Sequence, residues 1–183
     1  METEFAVTTP SDVIDGVTFV HPKPIADERG SFTEVFRSEW IPGAKGVVQM
    51  NRSRSKNGVL RGMHYHLFQA DYWFVAEGTA FIALFDFRGS SKTAEKSETL
   101  EIKEGDDVGI YIPPGVAHGF YAVTDLTLLY MVDQAFDGTD EHSIFWDDPA
   151  LEITWPFEAQ PLLSERDQNS PMVVDVPEEN LPF

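Results

Sequence analysis

Short apolar runs separated by turn signals make up most of the chain. Val17–Val20 reads as a strand, and Gly30–Arg37 sets Phe32, Val35 and Phe36 among polar residues. Gly46–Met50 and Val59–Leu60 follow. Tyr72–Val75 and Ala80–Phe87 are the strongest strands, rich in aromatic and β-branched residues. Thr99–Ile102, Val108–Ile112, Gly119–Val123 and Thr127–Val132 continue the series. Glu77-Gly78, Arg88-Gly89, Glu104-Gly105 and Pro114-Gly115 punctuate it. No segment carries a long helical periodicity, and short helical turns are expected only at Glu141–Trp146 or near Asp148–Leu151. Strands this short, with turns about every eight to twelve residues, predict an all-β sandwich or barrel. The chain has 183 residues and no repeat or linker, which predicts one domain over residues 1–183. Val173–Phe183 reads as an extended tail, packed on a partner subunit or loose.

Charge narrows the partners. The formal net charge is −18, so the surface repels phosphate polymers and anionic lipid. Nucleic acid and membrane surfaces are therefore not expected partners. An anionic substrate would need the few arginines gathered where it binds. The 14 Phe, 5 Tyr and 4 Trp suit strands and the walls of a small-molecule pocket. There is no cysteine, which excludes disulfides and thiolate chemistry. The acidic start METEFAVTTPSD lacks the basic and apolar regions of a signal peptide, and no run has the roughly 18 apolar residues of a membrane helix. A cytoplasmic location is the expectation.

The candidate chemistry centres on histidine. Gly58-x5-His64-x-His66-x4-Asp71-x6-Gly78 and Pro113-x-Gly115-x-x-His118 resemble the two cupin motifs, which implies a jelly roll, or double-stranded β-helix, with a few short helical segments. Residues two apart on a strand share a face, so His64 and His66 both point inward or both outward. One reading makes His64, His66, Asp71 and His118 ligands of a transition metal in an oxygenase or isomerase, since imidazole with carboxylate suits Fe, Mn, Ni or Zn. The plainer reading leaves His66 and Asp71 as hydrogen-bonded barrel residues.

A longer resemblance favours chemistry without metal or cofactor. Asp27–Glu34, Asn51–Tyr65, Tyr111–Phe120, Trp146–Leu151, Trp155-Pro156 and Leu163–Asp167 resemble, in order, blocks of the dTDP-4-dehydrorhamnose 3,5-epimerase family. The resemblance runs from about Gly16 to Asp167. It implies a jelly roll that pairs as a homodimer, with residues of about 1–20 in contact, Phe5–Val20 among them. The substrate it implies is a nucleotide-linked 4-keto-6-deoxy sugar, inverted at C3, C5 or both through an enolate. A 4-keto group acidifies its neighbouring C–H bonds, so such an enzyme needs a base on one face, an acid on the other and support for the enolate.

By the same resemblance, His64 is the base, Asp167 orients it, and Tyr130 is the acid. Arg29 and Arg61 contact the diphosphate or the sugar, and a guanidinium pairs well with phosphate oxygens. Phe32, Glu34, Gln49 and Asn51 fall near sugar and nucleotide, and His118 near the reaction centre. Three departures from the family pattern stand out. Asp71 stands where the family has lysine, His66 where it has glutamine, and Ala135-Phe136 where paired tyrosines stack on thymine. These departures leave open which carbons are inverted and which nucleotide is carried.

Overall fold

Tyr72–Val75 and Ala80–Phe87 are apolar almost without a break because both of their faces are covered. The computed structural model describes residues 3–41, 43, 45–157 and 159–183. Its strands are β1 (Ala6–Pro10), β2 (Thr18–Pro22), β3 (Ile25–Asp27), β4 (Gly30–Phe32), β5 (Gln49–Ser55), β6 (Leu60–Tyr65) and β7 (Asp71–Glu77). They continue as β8 (Thr79–Asp86), β9 (Ser97–Lys103), β10 (Gly109–Ile112), β11 (Val116–Ala122), β12 (Leu126–Val132) and β13 (His142–Ser143). One sheet has the order β1-β2-β10-β7-β12-β5, a second β13-β6-β11-β8-β9, and β3 and β4 form a separate ribbon. Strand pairing within the sheets is antiparallel. From β5 to β8, and again from β10 to β13, the chain changes sheet at every step. That wrapping around a shared interior is the jelly roll expected from the sequence.

Alternation along β7 and β8 assigns the layers. Trp73, Val75, Ile82 and Leu84 point between the sheets and meet Ile110, Phe120 and Leu128. Tyr72 and Phe74 point the other way, beneath Trp40 and Ile41. Ala83 and Phe85 lie on the outer face of the second sheet, covered by Ile144, Trp146, Leu151 and Trp155. Among the described residues no helix is long and apolar enough to cross a membrane.

Several boundaries differ from the expectation. Gly30–Arg37 is extended only to Phe32, because Val35 and Phe36 leave the strand to cover the first sheet. The Val35 carbonyl accepts from Tyr72 Oη at 2.7 Å, and the Phe36 ring meets the Tyr72 ring edge-on at 4.9 Å. The strand expected at Gly46–Met50 begins at Gln49 and continues to Ser55. Glu141–Trp146 is not helical: it contributes β13 and buries Ile144. Pro149–Leu151 does form a 3-10 turn, capped by Asp148, whose Oδ1 accepts from the Ala150 amide at 2.8 Å. The tail is two 3-10 turns, Val173–Asp175 and Glu178–Asn180, packed on its own chain. Tyr65 Oη donates to the Asn180 carbonyl at 3.0 Å.

Gly62 marks the closest approach of β6 and β11. Its φ is +132°, and a Cβ there would lie 2.6 Å from Gly119 Cα and 3.0 Å from the His118 carbonyl oxygen. Both obstacles are backbone, so neither can swing aside. Gly62→Ala should cost about 2–4 kcal/mol, read as a lower urea midpoint; a loss below about 1 kcal/mol would show that the strands separate easily.

Acid should also destabilise the fold. Asp86 is fully buried and accepts from Arg88 Nε at 2.7 Å, Ser91 Oγ at 2.6 Å and Thr93 Oγ1 at 2.6 Å. Burial works against its charge, but these partners outweigh burial and hold its pKa below 3.8. A depressed carboxyl stabilises the native state above its unfolded pKa, and that contribution is lost as pH falls through the folded value. The melting temperature should therefore fall steeply once the pH drops below about 4, and a flat profile down to pH ~2 would contradict this account of Asp86.

Candidate active site

Between the sheets, at the open end of the barrel, lies a cavity of about 470 Å³. That is the size of a small-molecule site. The inward residues of β5 (Gln49, Asn51, Ser53) and of β12 (Leu128, Tyr130, Val132) form one wall. Arg61 and His64 of β6, with His118 of β11, form the facing wall. His64 lies opposite His118 on β11 and Ser143 on β13, so two ladders fix its position.

Its partner comes from outside the sheets. Helix α1 (Glu165–Gln168) is capped by Ser164, whose hydroxyl accepts from the Asp167 amide at 3.0 Å. This turn presents the buried Asp167, and Asp167 Oδ1 lies 2.7 Å from His64 Nε2. Burial works against the Asp167 carboxylate. Its contacts with His64, Ser164 and Arg166 outweigh burial and hold its pKa below the usual value. A charged carboxylate here orients the imidazole and fixes its tautomer.

Tyr130 pairs with Trp73 on one side and Asn51 on the other. Burial raises its pKa, as do the charges of Asp71 and Glu141, against a smaller opposing effect of Arg61. The phenol therefore keeps its proton at neutral pH and can donate it. Arg61 donates from Nε to Ser55 Oγ at 3.0 Å and lines the cavity.

Asp71, at the start of β7, lies beside β12 in the first sheet and also lines the cavity. Its Oδ1 accepts from Gln69 Nε2 at 2.8 Å and its Oδ2 from Trp73 Nε1 at 3.1 Å. His66 Nε2 lies 3.8 Å from Oδ1, and His118 Nε2 lies 3.9 Å from Oδ2. Burial, with help from His66 and His64 and against Asp71 and the Val116 carbonyl, pushes His118 down to about 4. Among the described residues, His66, Asp71 and His118 form the group that could hold a metal. His64, the fourth ligand of the sequence-based metal pattern, is outside this group, and its Nε2 contacts Asp167 instead.

His64, Tyr130, Gln49, Asn51, Arg61 and His118 thus share one cavity, with Asp167 behind His64. Arg29, Phe32 and Glu34 do not line it. The β3–β4 ribbon is exposed at all of its residues, Arg29 pairs there with Asp27, and Glu34 pairs with Arg37. Arg166 and Glu141 line the cavity without having been singled out as site residues. For Arg166 a signal existed, its place beside Asp167 in the Leu163–Asp167 block; for Glu141 none did.

Comparison with known proteins bears on this geometry. The family model described as dTDP-4-dehydrorhamnose 3,5-epimerase matches residues 11–175. A dTDP-4-dehydrorhamnose 3,5-epimerase of Shigella flexneri is 35% identical over 170 residues, covering 88% of this chain and 93% of the relative. The crystal structure of a dTDP-6-deoxy-D-glucose-3,5-epimerase from Legionella pneumophila, in complex with dTDP-4-keto-L-rhamnose, superposes with a TM-score of 0.90 at 32% identity, covering 97% of each chain. A 3'-monoepimerase from Streptomyces bikiniensis, in complex with dTDP-quinovose, gives a TM-score of 0.86 at 32% identity, covering 95% of this chain and 92% of that one. With a matched length that takes in β2 to β13 and α1, this chain belongs to the dTDP-4-dehydrorhamnose 3,5-epimerase family of isomerases.

Proposed function

We propose that the protein epimerises a dTDP-linked 4-keto-6-deoxy sugar at C3, C5 or both, with His64 as base and Tyr130 as acid. The observation that carries this reading is the 2.7 Å contact between His64 Nε2 and Asp167 Oδ1 in the cavity that Tyr130 also lines. His64 Nδ1 takes the proton from the carbon beside the ketone. The C–H electron pair moves into the ring, and the 4-keto oxygen becomes an enolate. Tyr130 then gives its phenolic proton to the opposite face of that carbon, the carbonyl re-forms, and solvent returns the proton from His64 to Tyr130. Arg61 pairs with the diphosphate, Gln49 and Asn51 contact sugar or nucleotide, and His118 supports the reaction centre. The activity is proposed to be cytoplasmic.

Proton exchange tests the reading. In D2O with dTDP-4-keto-6-deoxyglucose, NMR should show deuterium entering C3, C5 or both, together with inverted product. Absence of exchange at both carbons would sink it.

The working unit is proposed to be a two-fold homodimer. β1 is the edge of the first sheet, and a partner strand would satisfy its outer backbone groups. The exposed ribbon with Arg29 and Phe32, together with Glu34, would then serve a partner's cavity rather than its own. Light scattering at micromolar concentration should give twice the chain mass of 20.6 kDa; a monomer mass would contradict the proposal.

A further inference from the structure

Two buried imidazoles in the cavity wall are oriented in a way that proton transfer from the sugar does not require. His66 Nδ1 lies 2.5 Å from the Asp140 carbonyl oxygen, and His118 Nδ1 lies 3.0 Å from the Val116 carbonyl oxygen. A carbonyl only accepts, so both Nδ1 atoms carry a proton and donate it. In a neutral ring each Nε2 is then a bare lone pair. Both lone pairs face the Asp71 carboxylate, at 3.8 Å and 3.9 Å, and the three side chains are 7%, 5% and 4% exposed. Those gaps are too long for hydrogen bonds. Three acceptor groups are thus gathered close together in a buried part of the wall.

The surroundings hold this arrangement from outside. Gln69 Nε2 and Trp73 Nε1 each take one lone pair of Asp71 and leave others directed at the imidazoles. The Asp140 carboxylate accepts from the amides of Leu67, Phe68 and Gln69 at 2.6, 2.9 and 3.0 Å, which pins the turn after His66. An imidazole fixed by Nδ1–H to a carbonyl, beside a carboxylate held by its own donors, is how proteins support metal ligands. The three ligand atoms lie within 4.8 Å of one another. With metal bonds of about 2.1 Å, ligands on a tetrahedral edge are about 3.4 Å apart, so gaps of at most 4.8 Å need close by no more than about 1.4 Å.

We propose that His66, Asp71 and His118 bind one divalent first-row transition-metal ion, separate from the His64–Asp167 pair. Two imidazole nitrogens and one carboxylate suit Fe2+, Mn2+, Co2+, Ni2+ or Zn2+, with the remaining coordination positions open to the cavity. The ion replaces the repulsion among three acceptors with three bonds. A second consequence rests on the epimerase reading above: the ion offsets the charge of Asp71 beside Tyr130, where an enolate would otherwise meet a carboxylate.

Binding can be read without substrate. Chelator-treated protein titrated with Co2+ should take up one ion per chain, with visible ligand-field absorption that Zn2+ abolishes by displacement. Loss of an outer hydrogen-bond partner of a ligand costs about 10–100-fold in metal affinity, so Asp71→Asn and His118→Gln, which remove ligands, should each cost at least about 100-fold. His64→Asn should bind Co2+ as the wild type does. Near-UV circular dichroism checks that each variant folds. Co2+ should also raise the melting temperature of the wild type and not that of the isosteric Asp71→Asn. No stoichiometric uptake, equal affinity in Asp71→Asn, or loss of binding in His64→Asn would overturn the site, and would point to a bridging water or a proton between the rings. The deuterium assay on the same preparations is scored separately, so failure of the ion and failure of the epimerase reading are distinguishable.

Discussion

His64→Ala should lower both deuterium exchange and inversion by about 10²–10⁴-fold, the usual contribution of a positioned general base. The loss should fall on the chemical step and leave the Michaelis constant nearly unchanged, because the side chain lies at one point of a cavity whose binding walls come from β5, β6 and β12. Folding should survive. The His64 side chain is 26% exposed, and β6 keeps its backbone ladders whatever the side chain. Asp167→Asn is the companion measurement. An amide can still reach His64 Nε2 but cannot stabilise the imidazolium, so activity should fall while the His64 ring stays in place. Exchange near the wild-type rate in His64→Ala would remove the histidine from the mechanism.

Tyr130→Phe should separate two events that the wild type couples. The substitution keeps the ring against its neighbours on β7 and β5 and removes only the hydroxyl, which faces the cavity. Stability should change by less than about 1 kcal/mol. His64 can still remove the proton, so deuterium should continue to enter the sugar. Reprotonation would then come mainly from the face that was deprotonated, and inversion should fall by about 10²-fold or more. The decisive quantity is the ratio of exchanged to inverted molecules, followed by NMR. Unchanged inversion would give the acid role to water or another residue. Joint loss of exchange and inversion would make the hydroxyl a partner of the enolate instead.

How far each feature could be read from the residues follows from what surrounds it. β7 and β8 are obvious because both faces are buried in apolar neighbours. Only the first residues of β5 read as a strand, because Gln49, Asn51 and Ser53 face a polar cavity, so its inward positions break the apolar alternation on which strand reading depends. β1 (AVTTP) carries no strand signal, since only Ala6 and Thr8 are buried. Of the two places where a helical turn is expected, Pro149–Leu151 forms one, while Glu141–Trp146 does not, because its local pattern says nothing of the ladder it adds beside β6. The site divides the same way. His64 and His118 were found through motifs on adjacent strands. Asp167 is 103 residues from His64 in sequence, and only family resemblance linked the two before the fold placed them together. The positions of Arg29, Phe32 and Glu34 depend on what the ribbon meets beyond its own chain, which periodicity cannot report.

The placement of Asp167 has one further consequence. The base stands on a strand held by neighbours on both sides, while its partner stands on a four-residue helix outside both sheets. That helix is tied down by the Ser164 cap, by Arg166 Nη2 on the His142 carbonyl at 3.1 Å, and by the Phe145 amide on the Pro171 carbonyl at 2.7 Å. A short segment held outside the sheets by a few such bonds is expected to open at a lower free energy than the barrel. Inactivation and denaturation are therefore different events in this molecule: peeling back residues 163–171 would silence the histidine while every sheet stayed paired, and the temperature at which turnover fails would lie below the temperature at which the fold melts.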